Sequence, residues 1–191
     1  MLHIILFGAP GAGKGTQATQ LATSFELKHV STGDLLRTEI KNQTLLGLQA
    51  KPLVDAGTLV PDEIVIGMIE NLLSHLVGYK GVIFDGFPRT LPQAEALDAL
   101  LQKLNQPIKS VLTLDVPEKE LTKRLLLRGE TSNRPDDKDE SIIQHRFQQY
   151  EQKTGILKEY YLKQNKLKSV DGTRSIENIT ADLKSICNSL A

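Results

Sequence analysis

Cysteine is almost absent from this chain of 191 residues: Cys187 stands alone. No internal disulfide and no cysteine-built zinc knot can therefore form. The four histidines, His3, His29, His75 and His145, are scattered and make no metal-ligand spacing. Net charge is missing too, with 23 basic against 23 acidic residues. No global field is left to draw in nucleic acid or an anionic membrane. No apolar run reaches the roughly 20 residues of a membrane span. Met1-Leu2-His3-Ile4 carries no basic region or cleavage site of a signal peptide, so the expected compartment is the cytosol; neutral charge and the lack of an obvious exposed apolar patch make a monomer the expected state. Repeats and low-complexity tracts are also lacking. The remaining composition, 40% hydrophobic and 24% charged, suits one soluble core domain with small insertions.

Arginine is the last scarcity. Of the 23 basic residues only Arg37, Arg89, Arg124, Arg128, Arg134, Arg146 and Arg174 are arginine. Its planar fork suits bidentate phosphate recognition, so each one is worth inspecting.

What is present begins at Gly8-Ala9-Pro10-Gly11-Ala12-Gly13-Lys14-Gly15-Thr16, after the apolar run Ile4-Ile5-Leu6-Phe7 and before a helical segment from Gln17 to Ser24. Strand, Gly-rich loop, Lys and helix make the context of a phosphate-binding loop. Glycines let several N–H groups converge on one anion, the helix adds the positive end of its dipole, and Lys14 adds a mobile cation. The plain alternative is a glycine-rich turn. The general pattern has Ser or Thr directly after Lys, whereas Gly15 stands there and Thr16 follows. A loop hydroxyl is thus a weak candidate for a direct Mg²⁺ ligand.

Apolar segments near 2–7, 28–30, 81–84, 110–115 and 168–171 read as strands separated by helical patterns. That alternation predicts an α/β fold, a five-stranded parallel sheet with helices on both faces. Helical stripes expected in the core are Val65/Met68/Ile69/Leu72/Leu73/Leu76, Leu97/Leu100/Leu101/Leu104, Ile143/Phe147/Tyr150/Thr154/Leu157/Tyr161 and Ile176/Ile179/Leu183/Ile186/Leu190. Gly155, inside the pattern 138–164, marks either a bend or a tolerated glycine.

Ligands of such sheets sit at the carboxyl ends of the strands. There the sequence carries the phosphate loop, Ser31-Thr32-Gly33-Asp34, Asp85-Gly86-Phe87-Pro88-Arg89 and Asp171-Gly172-Thr173. Asp85 is placed to hold a Mg²⁺ or its waters, or else is a turn aspartate. Ser31–Asp34 caps a helix beginning near Leu35. Arg124 and Arg128 share a helical face, as a solvated surface or as an anion site. Asp136 and Asp137 are available to hold the arginines when no nucleotide is bound. The stretches 33–62 and 129–137 interrupt the βα rhythm, as covers or as ordinary surface loops.

With these residues in place the chain resembles the adenylate kinases, within the nucleoside monophosphate kinases. The loop 8–16, including Gly after Lys, is similar to that family's phosphate loop. Ser31-Thr32-Gly33-Asp34-Leu35-Leu36-Arg37 resembles its monophosphate motif. Asp85-Gly86-Phe87-Pro88-Arg89 with Gln93, the segment Arg134-Pro135-Asp136-Asp137 to Arg146, and Val170-Asp171-Gly172-Thr173 follow in family order. The resemblance implies one P-loop kinase domain over 1–191. Its core would be 1–31, 61–128 and 138–191, with an AMP-binding insertion at about 32–60 and a short, zinc-free lid at about 129–137.

It further implies transfer of a phosphoryl group from MgATP to AMP, giving two ADP. By resemblance Gly11, Ala12, Gly13, Lys14, Gly15, Thr16, Arg124, Arg128 and Arg174 serve ATP. Thr32, Arg37, Thr58, Leu59, Val60, Gly86, Phe87, Pro88, Arg89, Gln93, Arg134 and Arg146 serve AMP. Lys14, Arg89, Arg128, Arg134, Arg146 and Asp85 make up the catalytic set, with Mg²⁺ held by phosphate oxygens and waters and Asp85 beyond them. Thr32, Thr90 and Gln93 point to adenine, since pyrimidine-preferring relatives carry Ala and Asn at the first two. A UMP/CMP kinase is the alternative within the family. A GTPase-like switch is the alternative outside it, although Asn165-Lys166-Leu167-Lys168 lacks the aspartate of a guanine-reading motif. A nucleotide-binding module without activity is a third.

Overall fold

A computed structural model describes residues 1–132 and 134–190; Asn133, part of the expected 129–137 cover, lies outside the described residues. Five parallel strands form one sheet in the order β2-β3-β1-β4-β5. They are β1 (Leu2–Phe7), β2 (Leu27–Ser31), β3 (Gly81–Asp85), β4 (Ile108–Asp115) and β5 (Leu167–Asp171). Ile5 pairs in register with Phe84 on one side and Val111 on the other. The α/β architecture read from the sequence is therefore the one present. β4 begins two residues before its expected start at 110. The β1–β4 register shifts between His3 and Ile4, so exposed Lys109 has no Cα partner, and its charge hides the strand's first turn of pairing from a hydropathy reading.

The connecting helices are α1 (Lys14–Phe25), α2 (Thr32–Lys41), α3 (Leu45–Asp55), α4 (Asp62–Ser74), α5 (Leu91–Lys103), α6 (Glu118–Thr131), α7 (Glu140–Gln149), α8 (Ile156–Leu162) and α9 (Ile176–Asn188). Successive strand side chains point to opposite faces, and this sorts the core into two layers. Ile5, Phe7 and Phe84 join α4, α5 and α8 through Ile69, Leu97, Leu157 and Tyr161. Ile4, Leu6 and Ile83 join α1, α6, α7 and α9 through Leu21, Leu125, Ile143 and Leu183.

Three details differ from the sequence reading. Leu104, just past the end of α5, and Ile176, the first residue of α9, are exposed rather than in the core. α2 starts at Thr32 rather than near Leu35, because Ser31 alone is the cap, its Oγ accepting from Asp34 N at 3.3 Å. The stripe from Ile143 to Tyr161 is not one helix: a π turn over Tyr150–Thr154 separates α7 from α8. Gly155 N donates to Tyr150 O at 2.8 Å in right-handed backbone, and a Cβ on Gly155 would stand 2.8 Å from Glu151 O. The inserted residue shifts the helical phase. Ile143 and Phe147 consequently pack in one layer while Leu157 and Tyr161 pack in the other.

α2 and α3 form a hairpin at the end of β2. Buried Gly47 is what lets them touch: a Cβ there would lie 2.1 Å from Glu39 O. Gly47→Ala is expected to destabilise the protein by about 1–3 kcal/mol through overpacking. Leu45→Ala, at a side chain 83% exposed, is expected to change little. Urea unfolding of both variants checks this.

Candidate active site

The carboxyl ends of β1, β2 and β3 open onto a cleft of about 750 Å³. The phosphate loop occupies its floor. Gly13 caps α1 in left-handed backbone (φ 89°), and Gly11 (φ 86°) packs so closely on α6 that a Cβ would lie 3.0 Å from Leu121 O. The first turn of α1 has no acidic residue, so its amide end is left for an external anion. Lys14 Nζ folds back on the loop, donating to Gly8 O (2.7 Å) and Ala9 O (3.0 Å). Asp85 Oδ2 lies 3.5 Å from where a Gly15 Cβ would stand, an ordinary contact distance that sets the carboxylate directly beside the loop.

A chain of bonds ties the neighbouring strand ends together. Buried Thr32 donates Oγ1 to Gly86 O at 2.8 Å, and Arg89 Nε donates to the same oxygen at 2.8 Å. Thr154 Oγ1 in turn donates to Arg89 O at 2.9 Å. The Gln93 amide takes a bond from Arg89 N (2.7 Å) and gives one to Asp62 Oδ1 (2.7 Å). Asp85 stands 3.4 Å from His29 Nε2.

Among the described residues, seven cationic side chains but only three carboxylates line the cleft, although the chain as a whole is neutral. This imbalance sets the electrostatics. Burial pulls Lys14 down to about 8, with Arg89, Arg146 and Arg128 adding to the effect and Asp85 opposing it. Burial likewise pulls Arg89 down to about 10, helped by Arg146. Burial works against ionised Asp85, but the His29 hydrogen bond and the charge of Lys14 outweigh it and hold the carboxyl below its ordinary range.

On the opposite wall the arginines rest on acids. Arg128 forms a fork on fully buried Asp137 (2.6 and 2.9 Å), and Arg146 donates to the same carboxylate (2.6 Å) and pairs with Asp136 (3.0 Å). Arg37 and Arg134 share Asp34, at 2.6 and 3.2 Å. The contact between Arg134 and Asp34 also joins the 129–137 segment to α2. Thr58 Oγ1 and His145 Nε2, 3.4 Å apart, join α7 to the turn after α3.

Of the residues expected at the site, Gly11, Gly13, Lys14, Gly15, Thr16, Thr32, Arg37, Thr58, Leu59, Val60, Asp85, Gly86, Pro88, Arg89, Gln93, Arg124, Arg128, Arg134 and Arg146 line the cleft. Ala12 and Phe87 bury their side chains in the core. Arg174 is not brought in; it pairs with Asp182 on α9. Arg124 reaches Gly172 O at 3.2 Å, beside the end of β5. His29, Asp62 and Thr154 escaped the sequence reading. Thr154 was masked by its place in an apolar stripe and Asp62 by its place at a helix start. His29 was hidden because β2, Leu27-Lys28-His29-Val30-Ser31, is already mixed in polarity, so one more polar residue carries no signal.

A family model described as adenylate kinase matches residues 6–166. The chain belongs to the adenylate kinase family. It is 47% identical over 183 residues to an adenylate kinase of Bacteroides fragilis, covering 96% of both chains. It is 46% identical over 190 residues to one of Flavobacterium psychrophilum, covering 100% of both. It is 47% identical to one of Cyanothece, over 100% of this chain and 97% of the relative. These adenylate kinases match along nearly the whole chain, so both the strand-end motifs and the segments between them fall within the family likeness.

Asp137 gives a pH test. Its burial disfavours the charged form, but Arg128 and Arg146 overcome this and depress its carboxyl. A depressed carboxyl adds stability that is full above its unfolded value and is lost as pH falls through the folded one. Asp137→Asn is expected to unfold at lower urea than the parent at neutral pH. The gap should close as pH falls below about 4. Urea titrations at several pH values measure it.

Proposed function

We propose that the cleft takes MgATP and AMP together and moves the terminal phosphoryl group between them, MgATP + AMP ⇌ 2 ADP. The observation that carries this is the excess of converging cations on two sides of one cleft, in a chain of the adenylate kinase family. On this reading the loop 11–16, Arg124 and Arg128 take the triphosphate. Thr32, Arg37, the 58–60 turn, the 86–89 run and Gln93 take the monophosphate. Arg134 and Arg146 serve the group in transit. Arg174, outside the cleft, is left to contribute backbone.

The attacking atom is an oxygen of the AMP phosphate. It forms a bond to the γ-phosphorus of ATP as the bond from that phosphorus to the β–γ bridging oxygen breaks, and no proton need move. The second pKa of a phosphate monoester is about 6, so the nucleophile is largely anionic near neutrality. A general base is not required, and His29, the histidine in the cleft, already faces a carboxylate. The obstacle is repulsion. Two unit charges 4 Å apart oppose each other by about 1 kcal/mol in water and several times more at an effective dielectric near 20. Lys14, the loop amides and the arginines offset it and favour the spread charge of the transition state.

Among the described residues no group of three or more acids, histidines or cysteines could hold a metal alone. A hard cation held by phosphate oxygens and water, with ionised Asp85 accepting from those waters, fits the donors present. Bound there, Mg²⁺ would neutralise charge on the β- and γ-phosphates.

The insertion 32–60 and the segment 129–137 would close over the substrates and keep water from the phosphoryl group. Arginines that rest on Asp34, Asp136 and Asp137 would exchange those carboxylates for phosphate as they do so. Adenine is favoured over pyrimidine by Thr32 and by the Gln93 amide, which can both give and take a hydrogen bond. The accompanying reading is a cytoplasmic monomer.

Initial rates of ADP formation with AMP, UMP, CMP and GMP offered separately test the reading. AMP is expected to be preferred by kcat/KM; equal rates with UMP or CMP favour the pyrimidine alternative, and none with any of them favours an inactive module. Lys14→Met should lower kcat by about two or more orders of magnitude with circular dichroism unchanged. Because Lys14 binds phosphate only as the cation, kcat/KM for ATP should fall as pH rises through about 8. A profile flat to about pH 10 would contradict its role.

A further inference from the structure

We infer that Asp62 is a positioning residue for base selection: its carboxylate locks the Gln93 amide in the one orientation that matches adenine and mismatches a 6-oxopurine. The inference rests on the reading of Gln93 as the residue facing the AMP base.

Gln93 lines the cleft with only 2% of its surface exposed. Asp62 lies behind it, against a separate hollow of about 400 Å³, and reaches the cleft only through other side chains. Its Oδ1 accepts from Gln93 Nε2 at 2.7 Å and its Oδ2 from Thr90 Oγ1 at 2.8 Å. From the other side Arg89 N donates to Gln93 Oε1 at 2.7 Å. A carboxylate only accepts and a backbone N–H only donates. The two ends of the amide are thereby told apart by chemistry: rotated by half a turn, the amide would set oxygen against carboxylate and N–H against N–H, losing both bonds.

A primary amide has two N–H donors and two oxygen lone pairs. With one of each in use, one donor and one acceptor remain in fixed places. Adenine offers an amino donor at C6 and an acceptor at N1. Hypoxanthine and guanine offer the reverse, an acceptor at C6 and an N1–H donor. A freely rotating amide would read both classes. One held by Asp62 reads adenine and leaves mismatched groups against a 6-oxopurine, and such unpaired polar groups are what makes rejection strong. Thr90 joins the same lock by fixing the second oxygen of the carboxylate.

The test compares AMP with IMP, which share size and ring system but present opposite patterns. Initial rates with MgATP are measured for the parent, Asp62→Ala, Asp62→Asn and Gln93→Leu. For Asp62→Ala the AMP-over-IMP ratio of kcat/KM should fall by about tenfold. The loss should lie in KM for AMP, with kcat within about threefold and KM for ATP unchanged. Asp62→Asn can keep an oxygen towards Gln93 and should hold the ratio within about threefold of the parent. Asp62→Ser, which suits a helix start, is a second truncation should the alanine variant fail to fold, and the same loss is expected. If Gln93→Leu leaves the ratio unchanged, the reading of Gln93 fails and the inference with it. If Gln93→Leu collapses the ratio while the Asp62 truncations keep it, the inference alone fails. A uniform fall in kcat for both nucleotides would make Asp62 merely structural and overturn it as well.

Discussion

Excess positive charge, only partly balanced by carboxylates and gathered at one edge of a parallel sheet, is the constraint on which the rest of this structure depends. The chain is neutral as a whole, yet Arg89, Arg128 and Arg146 stand near enough to Lys14 to help depress its protonation, and Arg146 acts likewise on Arg89. Such a cluster costs free energy in the folded protein. Its position can be held because Asp34, Asp85, Asp136 and Asp137 interleave with it and because strand ends and helices fix the backbone beneath. A polyphosphate brings the charge these carboxylates only partly supply. The same feature that strains the free protein thus becomes the source of affinity and of transition-state stabilisation.

The topology explains why the cations converge. β1 is central, between β3 and β4, so the loop leaving it lies beside the ends of both. β2 neighbours β3, and Thr32, Gly86, Arg89 and Thr154 are linked in sequence by hydrogen bonds from strand end to strand end and on to the π turn. That turn has a structural reason as well. It allows one nearly continuous helical run to supply Arg146 to the cleft, Phe147 to one core layer and Leu157 to the other.

Much of this was legible in the sequence. Strands buried on both faces read as continuous apolar runs, and Val82-Ile83-Phe84 or Ile4-Ile5-Leu6-Phe7 could hardly be anything else. The scarcity of arginine made the clustering of six of the seven in one cleft a foreseeable outcome. The pairing of Asp136 and Asp137 with those arginines was foreseeable from charge alone. Other features were hidden because they depend on tertiary contact. The π turn has no compositional mark beyond Gly155, whose conformation is ordinary. Thr154 reads as one member of a core stripe, although its hydroxyl supports Arg89. Arg174 carries the right charge in the right stretch of sequence, but Asp182 one helix away holds it outside.

The central claim is that phosphate charge, more than the base, is what the cleft is built to receive. Thermal unfolding with inorganic tripolyphosphate or with adenosine, each over a range of ionic strength, measures this most directly. The account predicts that tripolyphosphate raises Tm, that the rise shrinks as salt screens the cluster, and that adenosine at equal concentration raises it far less. A rise with adenosine equal to or larger than that with tripolyphosphate, or one from tripolyphosphate indifferent to salt, would contradict it.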